Sequence, residues 1–251
     1  FLKMDAAQVV QRLKAKGKPL SAILLTHSHP DHVWGTATVV EAFPGTPVYA
    51  RAEIAREIEL EFRARQLRMS PLGADKIPLN LPEITPLTGE YFDFDGHGIR
   101  ILDLLPAETA NATAFYLPYS KTLVAGDLAY NQCHLYIGAG LNRPDLWADA
   151  IEDVRSRVRI STVIPGHGAV GGTEILDDVL AYLDFYRKAA PPMTPQPAII
   201  GALKERFPDH HMDGVLYLTR EPAITHPQLL KETGGHMSFG AGRIVTEESE
   251  V

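Results

Sequence analysis

The chain has 251 residues, 45% of them hydrophobic, and its formal net charge at pH 7 is −7. This length and apolar content suit one large domain or two small ones with a real hydrophobic core. The acidic balance disfavours nucleic acid or an anionic membrane as the main partner, and no apolar run approaches the roughly 18 residues of a membrane span. The single cysteine, Cys133, excludes an internal disulfide.

The chain begins at Phe1 rather than at a methionine. We therefore expect a further segment ahead of it, where any targeting signal would lie. A cytoplasmic location is favoured, and a periplasmic one stays open because the N-terminus is not seen.

Helices and strands alternate in the first fifty residues. The stretch "DAAQVVQRLKAKG" has helical apolar spacing and ends at a glycine, which is typical of a helix stop. Next, "LSAILLT" predicts a short buried strand, "HVWGTATVVEAFPG" a helix that ends at Pro44–Gly45, and "PVYA" a second strand. This β-α-β order favours a sheet covered by helices.

A long charged helix is predicted in "RAEIAREIELEFRARQLRM", with Ile54, Ile58 and Phe62 on one stripe. We expect its arginines and glutamates to form a solvated face with pairs at i and i+4. The proline-rich stretch "SPLGADKIPLNLPEITPL" follows without periodicity, and we expect either a connector or a lid near a site.

From Thr85 onward the pattern changes to period two. The stretch "YFDFDGHGIRILDL" predicts a hairpin that turns at Asp95–Gly96, and "ATAFYLP" and "KTLVAGD" predict strands on either side of Tyr119–Ser120. The remaining stretches predict a helix in "PDLWADAIEDVRSRV", a strand in "STVIPGHG", helices in "TEILDDVLAYLDFYRKAA" and "QPAIIGALKERF", and an irregular tail towards "GGHMSFGAGR".

Two β-rich stretches interleaved with helices indicate an α/β sandwich with its helices outside. We expect one main domain over residues 1–190 and a helical extension over residues 191–251 that packs on the same domain. The apolar part after Pro191 is expected either to cover a pocket or to form a homodimer contact.

Metal-binding side chains are crowded into "THSHPDH", directly after the first predicted strand. Side chains two apart in an extended segment share a face, so His27 and His29 point the same way, and Pro30 ends the strand. Asp31 and His32 then enter the next helix, which bends them back towards the same point. Imidazole and carboxylate ligands suit zinc, iron or manganese, and four of them in one turn indicate two neighbouring ions. The alternative, a histidine-rich loop without a metal, is disfavoured by the spacing.

Further ligands are predicted beside later strands. His167 in "VIPGHG" lies between glycines that allow a sharp turn, although a plain turn histidine is the alternative. Asp127 in "LVAGDLAY" follows a buried strand, where a carboxylate needs a partner. Glu108 lies just ahead of the strand "ATAFYLP".

With these residues the chain resembles the metallo-beta-lactamase superfamily of metal-dependent hydrolases, from about Leu20 to Gly168. The stretch "HSHPDH" fits the family's His-x-His-x-Asp-His signature fully, and "AGD" and "PGHG" follow in the family's order. The resemblance implies a four-layer αβ/βα sandwich, a catalytic role for the main domain and a site with two zinc ions. It also implies the metal ligands: His27 and His29 for the first ion, Asp31, His32 and His167 for the second, and Asp127 as the bridge.

The chain departs from the family in two places. The strands that normally precede the first helix, with an aspartate, are absent, so they either lie ahead of Phe1 or are lost. Where the family has a histidine seven residues before an aromatic, counting back from Phe115 gives Glu108. Glu108 either ligates the first metal, in an oxygen-richer site that accepts manganese or iron as readily as zinc, or leaves an enzyme with one metal.

The resemblance implies a hydrolase of a small ester, lactone, thioester or related carbonyl substrate. A bound metal would lower the pKa of water towards neutrality and supply hydroxide, while Asp31 or Asp127 orients the water and passes a proton to the leaving group. The alternatives are a β-lactam hydrolase, a mono-iron sulfur dioxygenase on the same fold, and a binding protein that has lost activity through Glu108. A nuclease is disfavoured by the acidic charge, so the expected partner is a small-molecule substrate.

Several other polar residues have open roles. Asn131 and His134 follow Asp127 and are predicted either to support the ligands, to line a pocket or simply to pack in a loop; Asn131 is also a candidate oxygen ligand. Cys133 has no evident activating partner. The remaining histidines, predicted to be surface or packing residues, are His97, His210, His211, His226 and His236.

Overall fold

The structure is a computed structural model that describes residues 2–73, 75–137, 142–189 and 196–217. The chain divides into two compact units, each with helices and strands of its own. The first unit consists of Phe1–Asp103 and Asn111–Pro118, and the second of Leu104–Ala110 and Tyr119–Val251.

The first unit alternates helices with short strands before it turns to antiparallel strands. Its helices are α1 (Lys3–Ala15), α2 (Pro30–Val33), α3 (Gly35–Ala42) and α4 (Ala52–Met69), and its strands are β1 (Ile23–Leu24), β2 (Val48–Ala50), β3 (Ile84–Pro86), β4 (Tyr91–Phe94), β5 (His97–Asp103) and β6 (Thr113–Leu117).

β1, β2 and β3 form a parallel sheet with β2 in the middle, so that Val48 lies opposite both Ile23 and Ile84. Helices α2 and α3 connect β1 to β2, which confirms the predicted β-α-β order. β3 was not predicted, because a strand of three residues among prolines is too short to show a period. The backbone N–H of Leu87 extends this pairing by donating to the carbonyl of Ala50 at 2.7 Å.

The predicted hairpin is confirmed by the antiparallel pairing of β4 with β5, in which Phe94 lies opposite His97. Asp95 and Gly96 between them have φ angles of 54° and 77°. A two-residue turn with positive φ at both positions matches the twist of the strands it joins. β5 then pairs antiparallel with β6, with Ile101 opposite Phe115.

Helix α4 packs its predicted apolar stripe against the core of the first unit, where Ile54, Ile58 and Phe62 are buried beside Trp34. The prediction that the glutamates and arginines of α4 all form a solvated face is wrong. Glu57, Glu61 and Arg65 are buried, with 1%, 7% and 2% of their surface exposed. The i, i+4 spacing of these charged residues places them on one side of the helix, but it does not reveal whether other parts of the protein cover that side.

The second unit packs helices on a pair of parallel strands. Its strands β7 (Thr122–Tyr130) and β8 (Thr162–His167) are parallel, and its helices are α5 (Pro144–Arg157), α6 (Glu174–Ala189), α7 (Gln196–Arg206) and α8 (Gly214–Tyr217). Trp147 of α5 is fully buried and its indole N–H donates to the carbonyl of Leu128 at 3.0 Å, which ties the helix to β7.

Strand β7 is longer than predicted and continues past Asp127 to Tyr130. The pairing of β7 with β8 shifts register between Val124 and Gly126 and again between Gly126 and Tyr130. Such bulges turn side chains away from strict alternation and are frequent next to functional sites. Asp127 therefore lies inside an irregular strand and not behind a finished one.

The described part of the chain beyond residue 191 contains the helices α7 and α8, and the helical extension as a separate region stays a prediction. The predicted irregular tail towards "GGHMSFGAGR", with His226 and His236, lies outside the described residues. The boundary between residues 190 and 191 stays a prediction. Among the helices within the described ranges, none is long and apolar enough to cross a membrane.

Candidate metal centre

His27 and His29 lie just beyond the end of β1 in the first unit, and both are buried. Their ring centroids are 4.8 Å apart and each offers a ligand atom within 4.8 Å of the other. The two imidazoles therefore lie on the same face of the segment, as predicted from the alternation of side chains in an extended chain. This is the arrangement expected of two ligands of one ion.

The backbone around these histidines accepts hydrogen bonds from residues of β6, α2 and α4, all in the first unit. The carbonyl of Thr26 accepts from the backbone N–H of Thr113 at 2.7 Å, and that of His29 accepts from the N–H of His32 at 3.1 Å. Between them, the carbonyl of Ser28 accepts from Nη1 of Arg65 at 2.7 Å.

The orientation of the His27 ring is set by Thr26, whose hydroxyl lies 3.0 Å from Nδ1. A hydrogen bond at one ring nitrogen fixes the ring plane and selects the other nitrogen as the ligand atom. Nε2 of His27 is thus the atom suited to a metal.

Asp31 and His32 lie in the short helix α2, which starts at Pro30. Nε2 of His32 is 3.4 Å from a carboxylate oxygen of Asp31, and the His32 ring lies 4.3 Å from the ring of His27. The helix start thus brings all four side chains of the signature into one cluster, as predicted.

Asp127 and His167 form the corresponding pair in the second unit. Nε2 of His167 is 3.5 Å from Oδ2 of Asp127, and the hydroxyl of Tyr130 donates to the same oxygen at 2.9 Å. The Tyr130 ring also lies 4.8 Å from the His167 ring, so it holds both side chains. The sequence did not indicate Tyr130, because residues three apart in a regular strand point to opposite faces.

Glycines make room for this pair. Gly126 has a φ of 53° and Gly168 a φ of 93°, a region that other residues rarely adopt. A Cβ at Gly166 would overlap Oδ1 of Asp127 and come within 2.9 Å of the Gly126 carbonyl carbon. The glycines of "AGD" and "PGHG" are therefore required by backbone geometry and close approach.

Glu108 is buried in the second unit, and one of its carboxylate oxygens lies within 4.8 Å of an oxygen of Asp127. Two buried carboxylates so close together repel each other, so a proton or a positive charge is needed beside them. The donor set of this unit, Glu108, Asp127 and His167, is chemically suited to a divalent cation.

Asn131 and His134 do not join these clusters within the second unit. Nδ2 of Asn131 donates to the carbonyl of Ala169 at 2.8 Å, and Nδ1 of the buried His134 lies 3.0 Å from the Tyr182 hydroxyl. Burial lowers the pKa of His134 and raises the pKa of the Cys133 thiol. Cys133 is therefore held as an unreactive thiol, in line with the absence of an activating partner in the sequence.

An α/β chain with imidazole and carboxylate donors beyond β1, in α2 and in β7 and β8 has the character of a protein that binds a divalent metal. The family model of the metallo-beta-lactamase superfamily matches residues 3–168, about two thirds of the chain. The chain belongs to this superfamily.

Curated relatives of the chain are hydrolases. A probable metallo-hydrolase of Streptococcus pyogenes is 25% identical over 176 residues, which cover 65% of this chain and 71% of that protein. A hydroxyacylglutathione hydrolase of Edwardsiella ictaluri is 50% identical over 77 residues, or 31% of each chain. One of Rhizobium meliloti is 29% identical over 122 residues, 49% of this chain and 39% of that protein. The chain thus matches less than half the length of these two hydroxyacylglutathione hydrolases.

Solved structures agree on the fold. A metallo-beta-lactamase from Pontibacter korlensis has a TM-score of 0.53 at 22% identity and covers 71% of this chain and 76% of its own. A protein solved in a di-iron-bound form has a TM-score of 0.50 at 25% identity and covers 68% and 81%. The predicted fold class, an α/β sandwich of the metallo-beta-lactamase type, is confirmed.

Proposed function

We propose that the chain hydrolyses a small thioester, such as an S-acyl conjugate of glutathione, at a metal centre. The observation that carries the proposal is the series of contacts that links His27 to His29 and to His32, and His32 to Asp31, in the signature segment of the first unit. The choice of a thioester over a lactone or another ester is supported by the hydroxyacylglutathione hydrolases among its relatives.

The metal ligands in this proposal are those expected from the sequence. His27, His29 and Glu108 would hold one ion, Asp31, His32 and His167 would hold a second, and Asp127 would be shared between them. Support comes from three pairs whose ligand atoms lie within 4.8 Å of each other inside one unit: His27 with His29, Asp31 with His32, and Glu108 with Asp127. His27, His29, Glu108 and Asp127 are also buried.

The chemistry divides between the metal and the side chains. When bound, the metal supplies hydroxide near neutral pH and polarises the thioester carbonyl. Asp31 or Asp127 would orient the attacking water, accept its proton and pass that proton to the departing sulfur, whose thiolate is a weak base. The hydroxyl of Tyr130 keeps Oδ2 of Asp127 in one orientation for this role.

The function is tested with a panel of a glutathione thioester, an aryl ester, a lactone, a β-lactam and a phosphodiester, run on protein of measured metal content. We expect the thioester to give the highest kcat/KM, with activity lost on chelation and restored by added metal. His32→Ala should abolish hydrolysis, whereas His97→Ala, in the exposed start of β5, should leave it unchanged. A preference for the β-lactam, or oxygen consumption with a persulfide in place of hydrolysis, would contradict the proposal.

The metal at the first position is proposed to be zinc, manganese or iron, because Glu108 gives that position an oxygen ligand where a histidine is usual. We expect Glu108→His to shift the metal content of protein purified without added metal towards zinc. Elemental analysis of both proteins measures the shift. Identical metal content and preference in the two would show that Glu108 does not select the metal.

A further inference from the structure

Three ionisable side chains of α4 are buried one turn apart in the first unit: Glu57, Glu61 and Arg65. Burying an ion costs several kcal/mol even when it is paired, and well-packed apolar residues serve stability equally well. Since Ile54, Ile58 and Phe62 already supply the apolar stripe of this helix, the buried charges call for another explanation.

The contacts of Arg65 lead directly to the metal-binding segment. Its Nη2 forms an ion pair with Glu61, one turn back on α4. Its Nη1 donates to the carbonyl of Ser28, the residue between His27 and His29, at 2.7 Å. A planar guanidinium makes both contacts at once because its N–H groups point in fixed directions.

A second contact connects α4 to the residues at the start of β6, the strand that hydrogen-bonds to the histidine segment. Nδ2 of Asn111 donates to Oε1 of Glu57 at 2.6 Å, and Asn111 is two residues ahead of Thr113. The N–H of Thr113 holds the carbonyl of Thr26. α4 thus contacts the histidine segment directly, through the hydrogen bond to Ser28. It also contacts this segment indirectly, through β6, whose Thr113 donates to Thr26.

We propose that Arg65, held by Glu61, is a positioning residue for the metal centre. It fixes the peptide between His27 and His29, so that the two imidazoles keep the separation that one ion requires. This inference rests on the proposed function in one respect only, that His27 and His29 bind a metal. It adds that the affinity for the metal is set by a side chain 36 positions further along the chain than His29.

The test separates positioning from folding. In Glu61→Leu/Arg65→Met the buried pair is replaced by apolar residues of similar size, which typically leaves stability unchanged or improved. We expect the apparent affinity for Zn²⁺ to fall roughly 10- to 100-fold, the usual effect of removing a group that orients a ligand. Competition with a chromophoric chelator measures the affinity, denaturant unfolding of the metal-free protein measures stability, and the absorption spectrum of the Co²⁺ form reports the ligand geometry.

Two further variants serve as controls for the measured metal affinity: a conservative substitution of Arg65 and the removal of an exposed ion pair. Arg65→Lys retains the charge beside Glu61 but has one ammonium for two acceptors, so a partial loss of affinity is expected. Lys188→Met removes an exposed i,i+4 ion pair with Asp184 on α6 and should change neither affinity nor spectrum.

Unchanged Zn²⁺ affinity and an unchanged Co²⁺ spectrum in the double variant, or in Arg65→Lys if the double variant does not fold, would overturn the inference. A wild-type chain that binds metal but hydrolyses no thioester would overturn the proposed substrate alone, because affinity and spectrum are read without turnover.

Discussion

Asp127→Asn is expected to lower kcat/KM for the thioester by about 10³-fold or more, because in the proposed centre Asp127 would hold the metal, and a bound metal contributes several kcal/mol of transition-state stabilisation. Asparagine keeps the shape of the side chain and can still accept the hydrogen bond of Tyr130. It lacks the negative charge with which Asp127 would bridge the two cations of the proposed centre. The loss should therefore appear in activity and in the number of bound metal ions, not in folding.

The metal-free protein should even gain stability from Asp127→Asn. Asp127 and Glu108 are buried carboxyl groups with oxygens within 4.8 Å of each other, and an amide in place of one of them leaves only one carboxyl group to be neutralised in the core. Urea unfolding of both proteins without metal measures this, while kcat/KM and elemental analysis are taken on the metal-loaded forms.

Tyr130→Phe is the matched control for Asp127→Asn. It removes the hydroxyl from Oδ2 of Asp127 but keeps the aromatic contacts with His167 and Trp147. We expect a loss of metal affinity of about 10-fold and full metal occupancy at saturating metal. An Asp127→Asn protein that keeps more than about a tenth of the wild-type kcat/KM would refute the bridging role. Such a small loss corresponds to less than about 1.4 kcal/mol, well below the several kcal/mol expected of a bridging ligand.

The part of the site that could be predicted is the part that local geometry determines. His27 and His29 share a face because a strand alternates, and Asp31 and His32 join them because a helix begins at Pro30. The paired carboxylate and histidine of the second unit were likewise predictable from glycines beside Asp127 and His167. These features need only a few neighbouring residues.

The supports of the site depend on contacts between residues far apart in sequence, and these could not be predicted. Arg65 meets Ser28 across 37 positions and Asn111 meets Glu57 across 54. Charged residues at regular helical spacing predict a solvent-exposed face, and only the structure shows whether other elements cover that face. Tyr130 was missed for a different reason, since only the irregular register of β7 places it beside Asp127.

The stability of the protein should depend on pH through Glu57. Burial raises the pKa of this carboxyl from 4.5 to about 7, opposed by the hydrogen bond from Asn111 and assisted by the charge of Glu61. Below pH 4.5 the side chain is neutral in both the folded and the unfolded chain. Between pH 4.5 and about 7 the unfolded chain loses the proton while the folded chain retains it, so the free energy of unfolding falls as pH rises.

Glu57→Gln removes this dependence, because the amide stays neutral and its oxygen can still accept the hydrogen bond from Asn111. The free energy of unfolding of the variant, relative to the wild type, is therefore expected to rise by about 3 kcal/mol between pH 4.5 and 7 and to level off above. Taking the difference between two otherwise identical chains cancels the titration of all other groups. Urea unfolding of the metal-free proteins across this range provides the measurement.

Glu59→Gln serves as the control, since Glu59 is two positions away on α4 and exposed. As a substitution on the protein surface, it should change the free energy of unfolding by no more than about 0.5 kcal/mol. A flat difference for Glu57→Gln as well would mean that Glu57 is ionised in the folded chain near pH 6, stabilised by Asn111 and Arg65 beyond the cost of burial. A rise would show that α4 keeps a protonated carboxyl in the core beside the segment that holds His27 and His29.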